Sequence, residues 1–452
     1  MLQKMTVGDR LINETQLARD LGISRPTLRT ALDHYVRQGV IARRRGSGSW
    51  IVRHPKTRHE QPLLEIWTQA FIQKDPMSLA QWCTLQEYVL EFRLEAQERG
   101  PGSDLRAVEL ACGAMRVSDR PCLMSLPIAK LREQVPYRAI AELSHHQRVL
   151  PENNHVEPWA WKMASVGDRL YGVPNWCDTM VLWLRSEDLI AAQLDTSKPP
   201  RSWDELRQWL VTLHRLTGRR LALTPPSDGS NLLSLLAARS GAILEHDDEA
   251  NPGHGDASDN LQQAVDWYAS LAKADLLESR ITFGRSAWNM VREQTLGYFH
   301  SILVRPIGSA RHSVDEGFVP IPLPSRKGGI GNPYLLTMEC FVINRRLSHA
   351  QRTAAMRYIH AATCQDTLRR RCQDQQIPFL FRRDLKQWAE TPSWLESVMP
   401  AWQQILSQPL AAHSTPAGYH HDHLVDLMVR CQHGQQPSVT DYRRYQFGRP
   451  TP

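Results

Sequence analysis

The chain of 452 residues lacks any C-x-x-C pair, and its eight cysteines never fall with histidines at zinc-site spacing. A zinc ribbon and a dithiol redox motif are thereby excluded, and reduced, mostly buried thiols are expected. The chain also lacks a run of about 18 uncharged apolar residues, the length that a membrane-spanning helix needs. Its best stretch, Asn231 to Leu244, is broken by Arg239. Lys4, Asp9 and Arg10 stand where a secretory leader would be apolar, so the expectation is a cytoplasmic protein that engages no membrane. Lysine is scarce, at nine residues against 45 arginines. What remains is 42% apolar and 22% charged, enough to build cores and too apolar for wholesale disorder. The length suggests about three compact units.

Charge is unevenly placed. The net charge is +7, but residues 1–58 hold twelve Lys+Arg against four acids, a net of +8, while the other 394 residues net −1. A basic head on a neutral body implies a polyanion partner for the head alone.

The head reads as two short helices and a hairpin. Asn13 with Gln16 three residues later has the pattern of a capping box, followed by Leu17, Ala18 and Leu21 at helical spacing. Gly22 and Ile23 break that helix. Ser24 caps a second one, Pro26 is tolerated in its first turn, and Leu28, Ala31, Leu32, Tyr35 and Val36 form one apolar face. Its exposed start carries Ser24, Arg25, Thr27 and Arg29, residue types that reach phosphates and guanine edges from a helix lying in the major groove. Val40-Ile41 and Trp50-Ile51-Val52 then flank a Gly-Ser tip, a hairpin whose basic rim, Arg43, Arg44 and Arg45, suits a DNA backbone.

From Glu14 to Val52 these elements, in register, resemble the winged helix-turn-helix of GntR-type bacterial transcription regulators. The resemblance implies DNA contacts from Arg25, Thr27 and Arg29, with Gly48 at the wing tip. Two departures stand out: the usual first helix before Leu11 is almost absent, and Thr15 replaces the basic residue that follows the acid of the first motif helix.

A Pro-bracketed polar stretch, residues 55–62, reads as a linker between a DNA-binding domain at 1–54 and a body at 63–452. In the body, Leu63–Trp67 and Cys122–Leu126 read as strands and Leu79–Arg99 as helical. Ser202 with Glu205 is a second capping box. Strands alternating with helices argue for α/β layers. The segments "DRLYGVP", "KPPRSWDEL", "GFVPIPLP" and "SHAQRTAAMRYIHAATCQDTLRRRC" follow in the order found in family 1 extracellular solute-binding proteins, whose type 2 periplasmic-binding fold the body resembles. The fold class expected overall is therefore α/β, with an α+β winged helix-turn-helix ahead of a two-lobed solute-binding-like domain. Hinges are expected near 172–175 and 319–324, with a ligand cleft between the lobes.

Residues just after strands face such a cleft, which nominates Trp67, Asn175, Trp176, Asp178, Asn231, Trp288 and Glu339. Indole faces stack on sugar rings, and carboxylates and amides bind their hydroxyls. Weaker patterns elsewhere take plainer readings. His420-His421-Asp422-His423 reads as a solvated turn rather than a metal site, Ser325–Gly329 as a flexible loop, and Arg369-Arg370-Arg371 as the polar face of a helix.

The expectation is a non-enzymatic transcription regulator without a cofactor, dimeric on an operator, and controlled by a small ligand, a sugar or oligosaccharide. The alternative is a GntR-type head on a pyridoxal-phosphate aminotransferase-like enzyme. Such a body needs a Schiff-base lysine, and none of the nine here has the sequence context those bodies carry.

Overall fold

The computed structural model describes residues 8–11, 13–20, 24–37, 40–44, 48–52, 63–69, 93–99, 105–147, 155–223, 226–241, 257–278, 294–302, 317–328, 332–375, 379, 381–385, 393–412 and 421–439. The chain divides into two compact units: Met1–Leu64 with Val89–Glu95, and Glu65–Tyr88 with Ala96–Pro452.

The first unit contains helices α1 (Glu14–Asp20) and α2 (Arg25–Arg37) and a hairpin of β1 (Ile41–Arg44) and β2 (Gly48–Ile51). Asn13 caps α1, its side-chain oxygen accepting from the Gln16 backbone N–H at 2.8 Å. The Gln16 amide bonds Asp20 at 2.7 Å, so only the capping half of the box forms. In the hairpin Ile41 faces Ile51 and Arg44 faces Gly48. Residues 8–11 run antiparallel beside β2, with Leu11 N–H bonded to the Ser49 carbonyl at 2.8 Å and Ile51 N–H to that of Asp9 at 2.9 Å. The apolar positions of all these elements meet in one core: Leu11, Leu17, Ala18, Leu28, Leu32, Val40, Ile41 and Ile51. At about 1.5–3 kcal/mol per buried aliphatic side chain, that core holds the small unit together.

The division falls within strands β3 (Leu63–Gln69) and β4 (Arg93–Arg99), and the second unit further holds β5 (Leu123–Pro127), β6 (Ser165–Val166), β7 (Arg169–Leu170), β8 (Val173–Asp178), β9 (Met180–Arg185), β10 (Gly297–Ser301), β11 (Phe318–Ile321), β12 (Tyr334–Ile343) and β13 (Leu410–Ala412). Its helices are α3 (Leu105–Val117), α4 (Ile128–Gln134), α5 (Ser144–Gln147), α6 (Pro158–Met163), α7 (Ser186–Ala191), α8 (Trp203–Thr217), α9 (Pro226–Ser240), α10 (Ala257–Lys273), α11 (His349–Thr363), α12 (Gln365–Gln375), α13 (Ser393–Leu406) and α14 (His421–Gln432). One mixed sheet has the order β13-β12-β5-β3-β4, with β8 also on β12. A second, antiparallel sheet has the order β10-β9-β11; α9 packs against β9, and α10 and α14 pack on α9.

One expectation fails here. Arg93–Arg99, placed in a helix by its pattern, is strand β4. Its Arg-Leu-Glu-Ala-Gln-Glu-Arg composition favours helix, and sheet pairing overrides that weak preference. Ser202 does cap α8, accepting from the Glu205 N–H at 3.2 Å, and the helix ends on Gly218 in the left-handed region.

The two sheets are joined where strands change sheet. Strand β8 pairs with β12 in the first, and after Thr179 the chain continues as β9 in the second. The return runs from β11 to β12. Tyr334, at the start of β12, ties the two crossings: its buried hydroxyl donates to the Met180 carbonyl at 2.9 Å and accepts from the Leu323 N–H at 3.0 Å.

Candidate functional site

In the first unit, α2 turns Leu28 and Leu32 into the core, which leaves Ser24, Arg25 and Arg29 exposed at its start. Arg25 and Arg29 are one helical turn apart and share a face. Glu14 of α1 lies between two of the expected DNA-contacting arginines, 3.4 Å from Arg29 Nε and 3.2 Å from Arg43. Arg43 also bonds Asp33. Arg29 keeps most of its side chain in solvent, whereas Arg43 is held by two carboxylates of its own unit. Gly48 opens β2 at a φ of +109°, a conformation that favours glycine, and a Cβ there would meet Arg10 Nε at 2.9 Å. The Arg10 guanidinium in turn lies 5.7 Å from the Trp50 ring centre. The side chains of Thr27 and Arg44, and all of Arg45, lie outside the described residues.

In the second unit, the structure brings Asn175 and Glu339 together through a residue that sequence reasoning missed. Ser125 Oγ donates to Glu339 Oε2 at 2.6 Å and accepts from Asn175 Nδ2 at 3.1 Å. Arg371, also missed, donates from Nη1 to Asn175 Oδ1 at 3.2 Å. All four side chains are buried. Every donor in this chain points the same way, from Arg371 through Asn175 and Ser125 to Glu339, so each bond polarises the next. A cation and a carboxylate thus stand at the two ends of a neutral relay.

Local geometry explains how Asn175 enters it. Glu339 faces Trp176 and Cys340 faces Pro174, so Asn175 is the extra residue of a bulge in β8. A bulge bends its strand and re-aims a side chain, and bulges are common beside functional sites. Pro174 has no N–H to give to the ladder, which suits it to that irregular position.

Arg371 corrects the reading of Arg369–Arg371 as a polar face: its guanidinium is buried, 4.9 Å from the Phe379 ring centre. Among the described residues its Nε has no hydrogen-bond partner. Burial pushes the guanidinium down to about 10, with Tyr358 offsetting part of the effect.

The other nominated residues lie elsewhere. Trp176 and Asp178 are half-exposed on β8. Asp178 Oδ1 accepts from Ser301 Oγ and from the Thr179 N–H, both at 2.6 Å, a link from β8 to the end of β10. Trp67 is in register with Met124, one residue from Ser125, and so faces the opposite side of the sheet from the relay. Its indole N–H bonds Glu65. Asn231 is half-exposed in the second turn of α9. Trp288 lies outside the described residues, as do His420 and the side chains of His421 and Asp422. A cavity of about 520 Å³ is lined by Trp203, Trp267, Asp266 and Arg326 among others, and by none of the nominated residues. Among the described residues no group of three or more His, Cys, Asp or Glu could hold a metal ion, and no helix is long and apolar enough to cross a membrane.

These features define a body of two sheets joined by strand crossings, in a chain that also carries a winged helix-turn-helix. Residues 120–390 match the family model of bacterial extracellular solute-binding proteins, and residues 2–51 match that of the bacterial regulatory proteins of the gntR family. The chain belongs to the bacterial extracellular solute-binding protein family, with a GntR-family regulatory domain at its N-terminus.

Solved structures share the fold. The sugar-binding protein MalE from Xanthomonas citri has a TM-score of 0.61 at 16% identity, with 86% of this chain and 100% of that one covered. Maltose-bound MalE3 of T. maritima has a TM-score of 0.65 at 15% identity, covering 84% and 97%. UgpB from Mycobacterium tuberculosis, in complex with glycerophosphocholine, has a TM-score of 0.66 at 15% identity, covering 85% and 96%. No curated protein matches the chain.

Proposed function

We propose that the chain is a transcription regulator whose operator affinity is set by a small ligand bound between the two lobes of its body. The observation that carries this reading is the joining, in one chain, of a GntR-family domain to a solute-binding body. The head meets DNA with Arg25 and Arg29 of α2, with Ser24 and Thr27 beside them and the wing of Arg44, Arg45 and Gly48 along the backbone. A sugar or oligosaccharide is the preferred ligand class. Support comes from the half-exposed Trp176 beside Asp178, and from neighbours described as sugar-binding or maltose-bound. The lobes close about Thr179 and the β11–β12 return, where Tyr334 bonds both segments. Two copies act together, because paired heads read half-sites about one helical turn apart. A DNA partner puts its work in the cytoplasm.

The test has two stages. Genomic DNA fragments are selected on the full chain, and a thermal-shift screen runs a panel of sugars with amino acids as controls. A ligand at 100 times its dissociation constant stabilises by about 2.7 kcal/mol. The selected DNA is then titrated with and without that ligand, and coupling of about 1–3 kcal/mol changes affinity 5- to 150-fold. Operator affinity unmoved by a ligand that stabilises the body would refute the regulatory reading.

A further inference from the structure

At one end of the first sheet, where β12 ends beside the start of β5, three loops meet around a buried asparagine. The Asn344 amide donates to the carbonyls of Ser118 at 3.0 Å and Pro121 at 3.1 Å, and its side-chain oxygen accepts from the Arg346 N–H at 2.9 Å. The Arg345 N–H bonds the Ala139 carbonyl at 3.0 Å, which brings in the loop after α4. These loops and the helix ends beside them carry six arginines: Arg116, Arg120, Arg138, Arg345, Arg346 and Arg352. Arg120, Arg138, Arg345 and Arg346 are exposed, and Arg116 and Arg352 half-exposed.

Their charge is left uncancelled. Elsewhere in the body surface arginines sit among carboxylates, as Arg219 does with Glu187 and Asp188. Here, among the described residues, none of the six forms an ion pair, and segments 116–121, 134–139 and 344–352 hold one acid, Asp119. Three are fixed by neutral groups instead. Arg346 bonds the Arg116 carbonyl from Nε at 3.1 Å and from Nη2 at 2.8 Å, and Arg352 Nη2 bonds the Arg345 carbonyl at 3.1 Å. The Arg116 guanidinium lies 3.7 Å from the Tyr137 ring centre and bonds Gln134 at 2.9 Å. Such partners orient a guanidinium and leave its charge intact. The side chains of Arg120, Arg138 and Arg345 have no partner among the described residues. Residues 59–452 net −1, and the six arginines with Asp119 contribute +5 of that, so the rest of the body nets −6. Like charges gathered on an otherwise acidic body repel one another, and a polyanion relieves that repulsion.

The polyanion that fits is the phosphate backbone of duplex DNA. Guanidinium forks match phosphate oxygens, and the hydroxyl of Tyr137, a residue 60% exposed, is of a kind that also bonds phosphates. The head, read above as the operator-binding domain, brings such a polyanion to the molecule. We propose that this arginine face is a second DNA-contacting surface, which binds the duplex through its phosphates without reading bases. The proposal rests on the operator-binding reading and adds a contact from the body to it.

The experiment is titration of operator DNA with the full chain across a salt series. One variant combines Arg120→Ala, Arg138→Ala and Arg345→Ala. A second combines Arg201→Ala, Arg207→Ala and Arg215→Ala, exposed residues in and beside α8, and so removes the same charge from another part of the body. The first keeps the wild-type melting temperature, lowers the salt slope by about two to three and weakens operator binding about tenfold or more. A version with lysine at the same three positions keeps the slope, and the second variant leaves it nearly unchanged. A first variant with the wild-type slope, or a second variant that loses as much, overturns the second surface while the operator-binding reading stands. A first variant that stops binding anionic phospholipid vesicles yet keeps the operator slope assigns the face to a membrane and overturns the DNA contact. A wild-type chain that selects no DNA overturns both readings.

Discussion

The hydroxyl of Tyr334 donates to the Met180 carbonyl at 2.9 Å, and accepts from the Leu323 N–H at 3.0 Å. One buried oxygen thus holds both places where the chain passes between the two sheets of its body. Tyr334→Phe leaves the Leu323 N–H without that acceptor, and a buried donor left without an acceptor costs about 1–3 kcal/mol. The expected result is a stability loss of that size in urea, with altered ligand affinity if the lobes close about these segments. The loss depends on pH. Burial holds the Tyr334 hydroxyl above its ordinary 10.0, so it stays protonated in the fold after the unfolded chain has begun to ionise. Its contribution is complete below pH 10.0 and falls as pH rises further, so the gap between wild type and Tyr334→Phe narrows there. A gap that stays constant through that range would contradict the burial argument.

The relay makes an asymmetric prediction. Asn175→Ala removes the hydrogen bond that Arg371 makes among the described residues and leaves a buried guanidinium with the Phe379 ring face beside it, at an expected cost of about 2–4 kcal/mol. Arg371→Met removes the buried charge itself and leaves only the Asn175 carbonyl unpaired, so it is expected to be milder by about 1 kcal/mol or more. The double variant should lie closer to Arg371→Met than to Asn175→Ala. Urea midpoints at constant m-value decide the order.

On the head, the arginines divide by what already holds them. Arg25 and Arg29 are exposed on one face of α2, so replacing either by Ala is expected to weaken operator binding by about 1–3 kcal/mol. Arg43 is engaged by Glu14 and Asp33, and Arg43→Ala is expected to lower the stability of the head by about 1 kcal/mol or less, leaving the salt dependence of DNA binding nearly unchanged. Gel shifts across a salt series separate the two outcomes. A salt slope reduced by about one in Arg43→Ala would return that residue to the phosphate backbone.

The sequence carries the head well because its signals are local. Asn13 and Ser24 precede helices, and Leu28 and Leu32 repeat with the helical period; both patterns are readable within about ten residues. The body yields its class by the order of its segments, but its relay is non-local. Ser125 meets Glu339 across 214 positions and Arg371 meets Asn175 across 196, and no window of sequence contains such a pair. The bulge at Asn175 depends on the register of β12, so strand alternation alone could not show where that side chain goes. Arg371 looked like surface because its two arginine neighbours do lie on the outer side of α12. Strand β4 was hidden by a composition that suits helix, since strand preference is set by neighbours more than by the chain itself.

Gly297 tests whether the two units unfold separately. It is the first residue of β10, paired with Leu184 of β9, and its carbonyl accepts from the Ala222 N–H at 2.8 Å. A Cβ there would lie 2.1 Å from the Trp183 carbonyl oxygen, a backbone atom that no side-chain rotation can move aside. Gly297→Ala must therefore spread β10 from β9, and overpacking of this kind costs about 1–3 kcal/mol or more. The head has its own closed core from Leu11 to Ile51 and contains none of these atoms. Calorimetry of the full chain is expected to show the body's transition lowered by several degrees and the head's unmoved. If both fall together, the head and body unfold as one cooperative unit, and a ligand that stabilises the body would stabilise the DNA-binding fold with it.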